Sequence, residues 1–359
     1  MKHSYLLAGI KAGRLLSMIF RNGGFSIKFI LRVLFLLNAG IWSNIFAIVE
    51  KRKYKKIIDA HQLTQAPIFV VGNWRTGTTF LHQLLSVDEQ FTTPTVYQVS
   101  NPDHFLISKK YYQPIMSKAL GSKRPMDNVK IGIDEPQEEE YALLKLCKNT
   151  PLEQMIFANG KRFFLDEISD YTPKGFAESM LALVKKLNWS TGKSVLFKNP
   201  FHSFRIAQLM QLFPQAKFIH IYRNPNDVIP STQHMWNVVG TQNLLKGKWL
   251  APTVSSVANL YNKILIEVRS QLAQLNSNQS VEITFEELEK SPSQTIQKVY
   301  EKLGLSFTDQ YNTELRAYCE GLKTYKKNKY TLQQGDQDKI KEILGETIPE
   351  YFKSNNERL

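Results

Sequence analysis

Pro67 to Leu85 reads PIFVVGNWRTGTTFLHQLL, and the reading of this stretch decides the fold. Ile68, Phe69, Val70 and Val71 form a short β-branched and aromatic run that Gly72 ends, as a buried parallel strand would end. From Gly72 to Thr79 the spacing is that of a P-loop, GxxxxG and two further residues, so backbone amides and a helix N-terminus would face one anion. An ATP-binding loop continues with Lys and then Ser or Thr. Here Thr78 stands in the lysine position, and the nearest cation is Arg75, two residues before Gly77. An arginine there can fork onto a tetrahedral oxyanion, while Thr78 and Thr79 offer hydroxyls and open the helix as capping residues. The loop reads as a phosphate or sulfate cradle. The competing reading is a tight strand-to-helix connection and nothing more.

A second stretch supports the cradle. Lys217 to Ser231 reads KFIHIYRNPNDVIPS, in which Phe218, Ile219, Ile221 and Tyr222 make another buried strand. Arg223 falls at its carboxyl end, where open α/β sheets collect their ligands, and Ser231 follows eight positions later. Alone, Arg223 could equally be a surface residue paired with Asp227. Two anion sites at the ends of two strands suggest a bisphosphorylated nucleotide. A P-loop kinase would want an aspartate at the second strand end to organise magnesium; this strand ends in arginine, so no metal is implied. A third strand-like run, Ser194 to Phe197, leads into Lys198 and the string KNPFH, with His202 four residues on.

With these residues in view, the sequence resembles the sulfotransferases that use 3′-phosphoadenosine 5′-phosphosulfate (PAPS), in particular their bacterial branch. Trp74, Arg75, Thr76, Gly77, Thr78 and Thr79 match that family's 5′-phosphosulfate loop, and Arg223 with Ser231 matches its 3′-phosphate pair. The resemblance runs from about Pro67 to Tyr330. It implies an α/β fold of three layers, α/β/α, around a parallel sheet of P-loop type, preceded by N-terminal helices. It implies sulfuryl transfer from PAPS to an acceptor hydroxyl or amine, leaving adenosine 3′,5′-bisphosphate (PAP), with no metal required. Lys198 takes the place of a stabiliser of the bridging oxygen and His202 that of a base, although a packing or capping histidine would read the same way. The acidic run Asp134 to Glu140, DEPQEEE, is either a solvated face or a functional cluster. Pro136 would open a helix with Glu138 and Glu139 in its first turn, and the bacterial branch carries a similar run. Several relatives place a glutamate base in the segment matching Thr93 to Asn101, but here that segment reads TPTVYQVSN. Glu138, Glu139 and His202 therefore all stay open as the base. Tyr325 to Tyr330, YKKNKY, resembles a basic segment closing over the 3′-phosphate.

Two alternatives remain at this level: a P-loop phosphate-donor transferase or kinase, and an inactive membrane-associated interaction protein built on the same fold. The acceptor class is a small molecule, a lipid or a glycan.

The chain has 359 residues, 43% hydrophobic and 22% charged, enough for a full α/β core. Its two cysteines, Cys147 and Cys319, allow no disulfide framework. Before Asp59 there are eleven basic residues against Glu50 alone, which accounts for ten of the fourteen net positive charges. The remainder is only mildly basic and carries no nucleic-acid-binding signature, so no nucleic acid is expected as a partner. Residues 1–60 thus read as a basic, apolar helical segment and residues 61–359 as the catalytic domain. Val33 to Val49 is free of charge, and as a helix its 17 residues reach roughly 26 Å, short of the roughly 30 Å hydrocarbon core. Lys51, Arg52, Lys53, Lys55 and Lys56 follow at once. The segment could lie in a membrane interface, span the bilayer or pack on protein. Residues 1–56 are accordingly expected to make peripheral membrane contact, with the catalytic domain in the cytoplasm, at the inner face of the membrane.

Overall fold

The computed structural model describes residues 6–120, 132–158, 172–322 and 332–347; Tyr325 to Tyr330 lies outside them. Among these residues the helices are α1 (Ala12–Arg21), α2 (Ile30–Ala60), α3 (Thr78–Ser86), α4 (Val96–Ser100), α5 (Phe105–Ala119), α6 (Glu140–Leu146), α7 (Pro151–Ile156), α8 (Phe176–Thr191), α9 (Ile206–Leu212), α10 (Pro225–Asn243), α11 (Val254–Leu272), α12 (Phe285–Lys290), α13 (Pro292–Leu303), α14 (Asp309–Gly321) and α15 (Gln334–Leu344). The strands are β1 (Ile68–Val71), β2 (Phe91–Thr92), β3 (Phe157–Ala158), β4 (Ser194–Lys198), β5 (Lys217–Tyr222), β6 (Lys246–Gly247) and β7 (Ser280–Thr284). They fall into two compact units. Met1–Thr64, Thr93–Gly192 and Asn237–Ala251 form a helical unit; Gln65–Thr92, Lys193–Trp236 and Pro252–Leu359 form a sheet unit.

The sheet unit is a five-stranded parallel sheet in the order β2-β4-β1-β5-β7. Alternation along the strands sends Ile68, Val70, Leu196, Ile219, Ile221 and Ile283 into one core with α3, α13 and α14. The opposite face is aromatic. Phe69 of β1 is in register with Phe197 of β4 and Phe218 of β5, and the three rings stack with centroids 5.5 Å apart on both sides. Phe213 and His202 pack against the central ring. Helices thus cover both faces, which is the expected α/β/α layering. β1 lies between β4 and β5, so the chain crosses to opposite sides of it, and the carboxyl ends of these three strands form the switch point where such sheets bind ligands.

The helical unit holds α1, α2 and α4 to α8, the end of α10, and a two-stranded parallel pair, β3 with β6. Here the expected helix at Pro136 begins later: α6 starts at Glu140, with Glu139 as its N-cap residue. Backbone pairing decides this. Val96 and Tyr97 donate to the carbonyls of Glu135 and Ile133, and Gln137 donates to Pro94, so residues 133–137 are held in a turn and a single bridge, Pro136 to Thr95, beside 94–97. His202 lies in a 3₁₀ turn, Pro200–Phe204, that precedes α9.

One charge cluster ties β7 to β5. Glu282 is opposite His220 in the ladder, accepts from its Nδ1 at 2.7 Å and is clamped by Arg269 at 3.0 and 2.6 Å. Burial alone would raise the Glu282 pKa, but the bonds from His220 and Arg269 win and hold it at about 2 instead of 4.5. A carboxylate depressed in the folded state stabilises the fold above its unfolded pKa, and that stability goes as the pH falls from about 4.5 towards 2. Denaturant titrations at a series of pH values should therefore show the wild type losing stability over that window. Glu282→Gln should be less stable at neutral pH by about 1 kcal/mol, the partial exposure of the cluster discounting the value, and should show a flatter acid limb.

Candidate active site

The loop after β1 turns sharply because its residues satisfy one another. The Asn73 side chain accepts from the Trp74 amide at 2.8 Å, and the Thr76 hydroxyl donates to the Asn73 carbonyl at 2.7 Å. Gly77 has φ 93° and is the N-cap residue of α3, whose first residue is Thr78. Its missing side chain is required by a neighbour: a β-carbon would stand 2.2 Å from the ring of Phe285, at the carboxyl end of β7. Arg75 has φ 69°, in the left-handed region that non-glycine residues avoid.

The side chains at this sheet edge converge. Arg75 Nε donates to Ser231 Oγ at 2.9 Å, and the Thr232 hydroxyl donates to the Trp74 carbonyl at 3.1 Å, so α10 holds both the cation and the backbone of the loop. Ser203, after β4, accepts from the Gly72 amide at 3.0 Å and its hydroxyl reaches the Gly72 carbonyl at 3.2 Å. Lys198 ends β4 beside Val70 and is buried. His202 is buried edge-on against Phe69, 5.5 Å between centroids. The ring of Trp74 packs edge-on against Phe201 and Trp236.

Arg223 follows β5. Its guanidinium lies over the Phe285 ring at 4.5 Å and donates to Asp227 at 2.8 Å, while its carbonyl accepts from the Tyr261 hydroxyl at 2.8 Å. Asp227 is more than half exposed, so this pairing is loosely held. The Glu286 carboxylate accepts from the Asn224 amide at 3.2 Å, and burial raises its pKa. Phe285 therefore lies both against Gly77 and under Arg223. Phe80 approaches it edge-on, 6.4 Å between centroids.

Trp74, Arg75, Thr76, Gly77, Thr78, Thr79, Lys198, His202, Arg223 and Ser231 thus all belong to the sheet unit, around the carboxyl ends of β4, β1 and β5. Glu138 and Glu139 belong to the helical unit, directly before α6; Glu139 is fully buried and Glu138 is partly exposed. Sequence reasoning passes over Ser203, Thr232 and Phe285. The last could have been found from its place at the carboxyl end of a strand. The other two show only in space.

A nucleotide bearing two anionic groups fits these residues. The amides at the start of α3 with Arg75 beside them, and Arg223 at the end of β5, are the donors those groups would meet.

A parallel α/β sheet with Arg75 and Arg223 at its switch point and no P-loop lysine defines a class. The model of the Sulfotransferase family matches residues 67–309, and the chain belongs to that family. It is an enzyme of PAPS-dependent sulfuryl transfer. It is 32% identical over 321 residues to the omega-hydroxy-beta-dihydromenaquinone-9 sulfotransferase Stf3 of Mycobacterium bovis, covering 87% of this chain and 80% of that protein. Among solved structures, sulfotransferase STF9 from Mycobacterium avium shares the fold with a TM-score of 0.66 at 16% identity, over 96% of this chain and 90% of that one. STF1 from Mycobacterium tuberculosis gives 0.62 at 17% identity, over 93% and 90%. The kinase and inactive-protein readings of the sequence give way to this assignment.

Gly77→Ala should fold but bind PAP at least about ten-fold more weakly, because the added methyl both strains φ and displaces Phe285. Isothermal titration with PAP, alongside a thermal melt, checks this.

Proposed function

We propose that this sulfotransferase acts on the hydroxyl of a lipid-like acceptor, with its nucleotide site built from the residues around β1, β4 and β5. The support for the acceptor is the 32% identical relative, whose own substrate is named as a hydroxylated dihydromenaquinone. A helix with a largely exposed apolar window, α2, agrees with it. An acceptor of this kind partitions into a bilayer, which favours a location at the inner face of the membrane. Glycans and small phenols are the lesser candidates.

In this reading the loop amides and the hydroxyls of Thr78 and Thr79 bind the 5′ anion, and Arg223 with Ser231 binds the 3′-phosphate. Ser231 also holds Arg75 by its Nε, and so orients the guanidinium towards the transferring group. Buried Lys198 stabilises charge on the bridging oxygen. When bound, PAPS supplies an electrophilic sulfur and a phosphate leaving group: the acceptor oxygen bonds to sulfur, the bond from sulfur to the phosphate oxygen breaks, and the hydroxyl proton passes to a base. Glu138, Glu139 and His202 are the candidates for that base.

Arg75→Ala should lower kcat/KM by about a thousand-fold or more with the fold retained; wild-type turnover would remove the loop cation from the mechanism. Ser231→Ala should weaken PAP by about ten-fold and adenosine 5′-phosphosulfate much less, and equal losses would count against a 3′-phosphate role. Of Glu138→Gln, Glu139→Gln and His202→Ala, the variant that removes the base should lower kcat about a hundred-fold or more with PAP affinity unchanged. For the acceptor, labelled PAPS is offered with an ω-hydroxylated isoprenoid quinol, a soluble phenol and a glycan extract. Transfer confined to the last two would overturn the lipid reading.

A further inference from the structure

α2 turns Ser43 and Glu50 inwards, whereas Asn38 is exposed. Val33, Leu36, Gly40, Ser43, Glu50 and Ile58 are buried and recur at helical spacing, so they mark the face turned to the rest of the helical unit. Gly40 admits α1 so closely that a β-carbon there would stand 2.6 Å from the Ala12 amide nitrogen. Glu50 accepts from the amides of Leu106 and Ile107, at the start of α5, at 2.8 and 3.2 Å, and pairs with Lys186 of α8. Lys186 donates in addition to the Pro102 carbonyl at 2.8 Å and sits 3.9 Å from the centre of the Phe105 ring. Arg32 reaches the carbonyls of Gln242 and Leu244.

The outward face is apolar apart from Asn38. Leu34, Phe35, Ile41, Trp42, Ile45 and Ile48 are each between 46% and 71% exposed, and their spacing places them on one stripe. At the same 100° per residue, Arg52 and Lys56 continue that stripe on the last turns, and both are exposed. Lys51 and Lys53 flank it. One helix among the described residues, Ile27–Ala60, is long and apolar enough to cross a membrane, with 22% of its most apolar window buried.

The geometry points to a bilayer-docking face: α2 lies along an anionic phospholipid surface, its apolar stripe sunk into the boundary between headgroups and acyl chains and Arg52 and Lys56 on the phosphates. The inward face argues against a crossing. A spanning α2 would have to leave α1, α5 and α8, breaking the pair of Glu50 with Lys186 and carrying the carboxylate towards hydrocarbon. Charge argues against a second copy as the cover, since the basic end of the stripe would bring like charges together in a parallel pair and set cations on apolar side chains in an antiparallel one. An anionic lipid surface answers both the apolar and the basic parts of the face. The inference goes beyond the acceptor proposal and is independent of it.

The full chain, without PAPS, is sedimented with vesicles of phosphatidylcholine containing 30% phosphatidylglycerol and with pure phosphatidylcholine. Binding to the anionic vesicles, weakened at least ten-fold by Leu34→Ser/Ile41→Ser/Ile45→Ser, is expected. Arg52→Gln/Lys56→Gln should reduce the preference for anionic lipid and its sensitivity to salt, with PAP affinity unchanged in both variants. Bound wild type should be released by alkaline carbonate. Three results would overturn the proposal: no wild-type binding, resistance to carbonate as a spanning helix would show, or a dimer by light scattering that the triple serine variant abolishes.

Discussion

Three phenylalanines set the register on which the site depends. Phe197, Phe69 and Phe218 stack across β4, β1 and β5, and because side chains alternate with a period of two, a slip of one residue would turn each ring to the opposite face of the sheet. The stack therefore fixes where the three strands end relative to one another. Those ends carry Lys198, Gly72 and Arg223, and Gly72 stands more than a hundred residues before the other two in the chain. Apolar packing beneath the edge thus does the positioning, and the charged groups above it need only be placed once.

The loop after β1 and the end of β5 are joined through protein contacts. Ser231 sits on α10, eight residues after Arg223, yet bonds Arg75 in the loop after β1. Phe285 lies under the Arg223 guanidinium and against Gly77. One hydrogen bond and one ring thus fix the position of Arg75 and Gly77 relative to α10 and Arg223. This matters because in-line transfer is sensitive to misplacement of the reacting groups by an ångström.

The parts of the fold and site that the sequence discloses are those carried by local pattern. The strand, loop and helix from Pro67 to Leu85 and the strand before Arg223 are each one uninterrupted segment, so spacing alone identifies them. The helix expected at Pro136 failed for the opposite reason: residues 133–137 pair with residues 94–97, a partner about forty positions away that no local signal announces. Ser203 and Thr232 were invisible likewise, since each earns its role from a backbone group in a different segment. The length of α2 was underestimated because the charge-free run was taken as the unit, whereas Lys51 to Lys56 are good helix formers and carry it on to Ala60.

Arg75 shows where local preference was overruled. A side chain at φ 69° costs about 1 kcal/mol relative to glycine, and the surrounding loop is already rich in residues suited to tight turns. Glycine would relieve the strain and remove the guanidinium. Lysine would keep a charge but lose the planar fork whose Nε meets Ser231 while the rest of the group remains directed by that bond. The strained backbone and the serine contact together aim one cation from a loop that otherwise offers only amides and hydroxyls. The threonine that stands where an ATP-binding loop has lysine follows from this arrangement, because the positive charge is delivered from the turn itself and not from the first turn of α3.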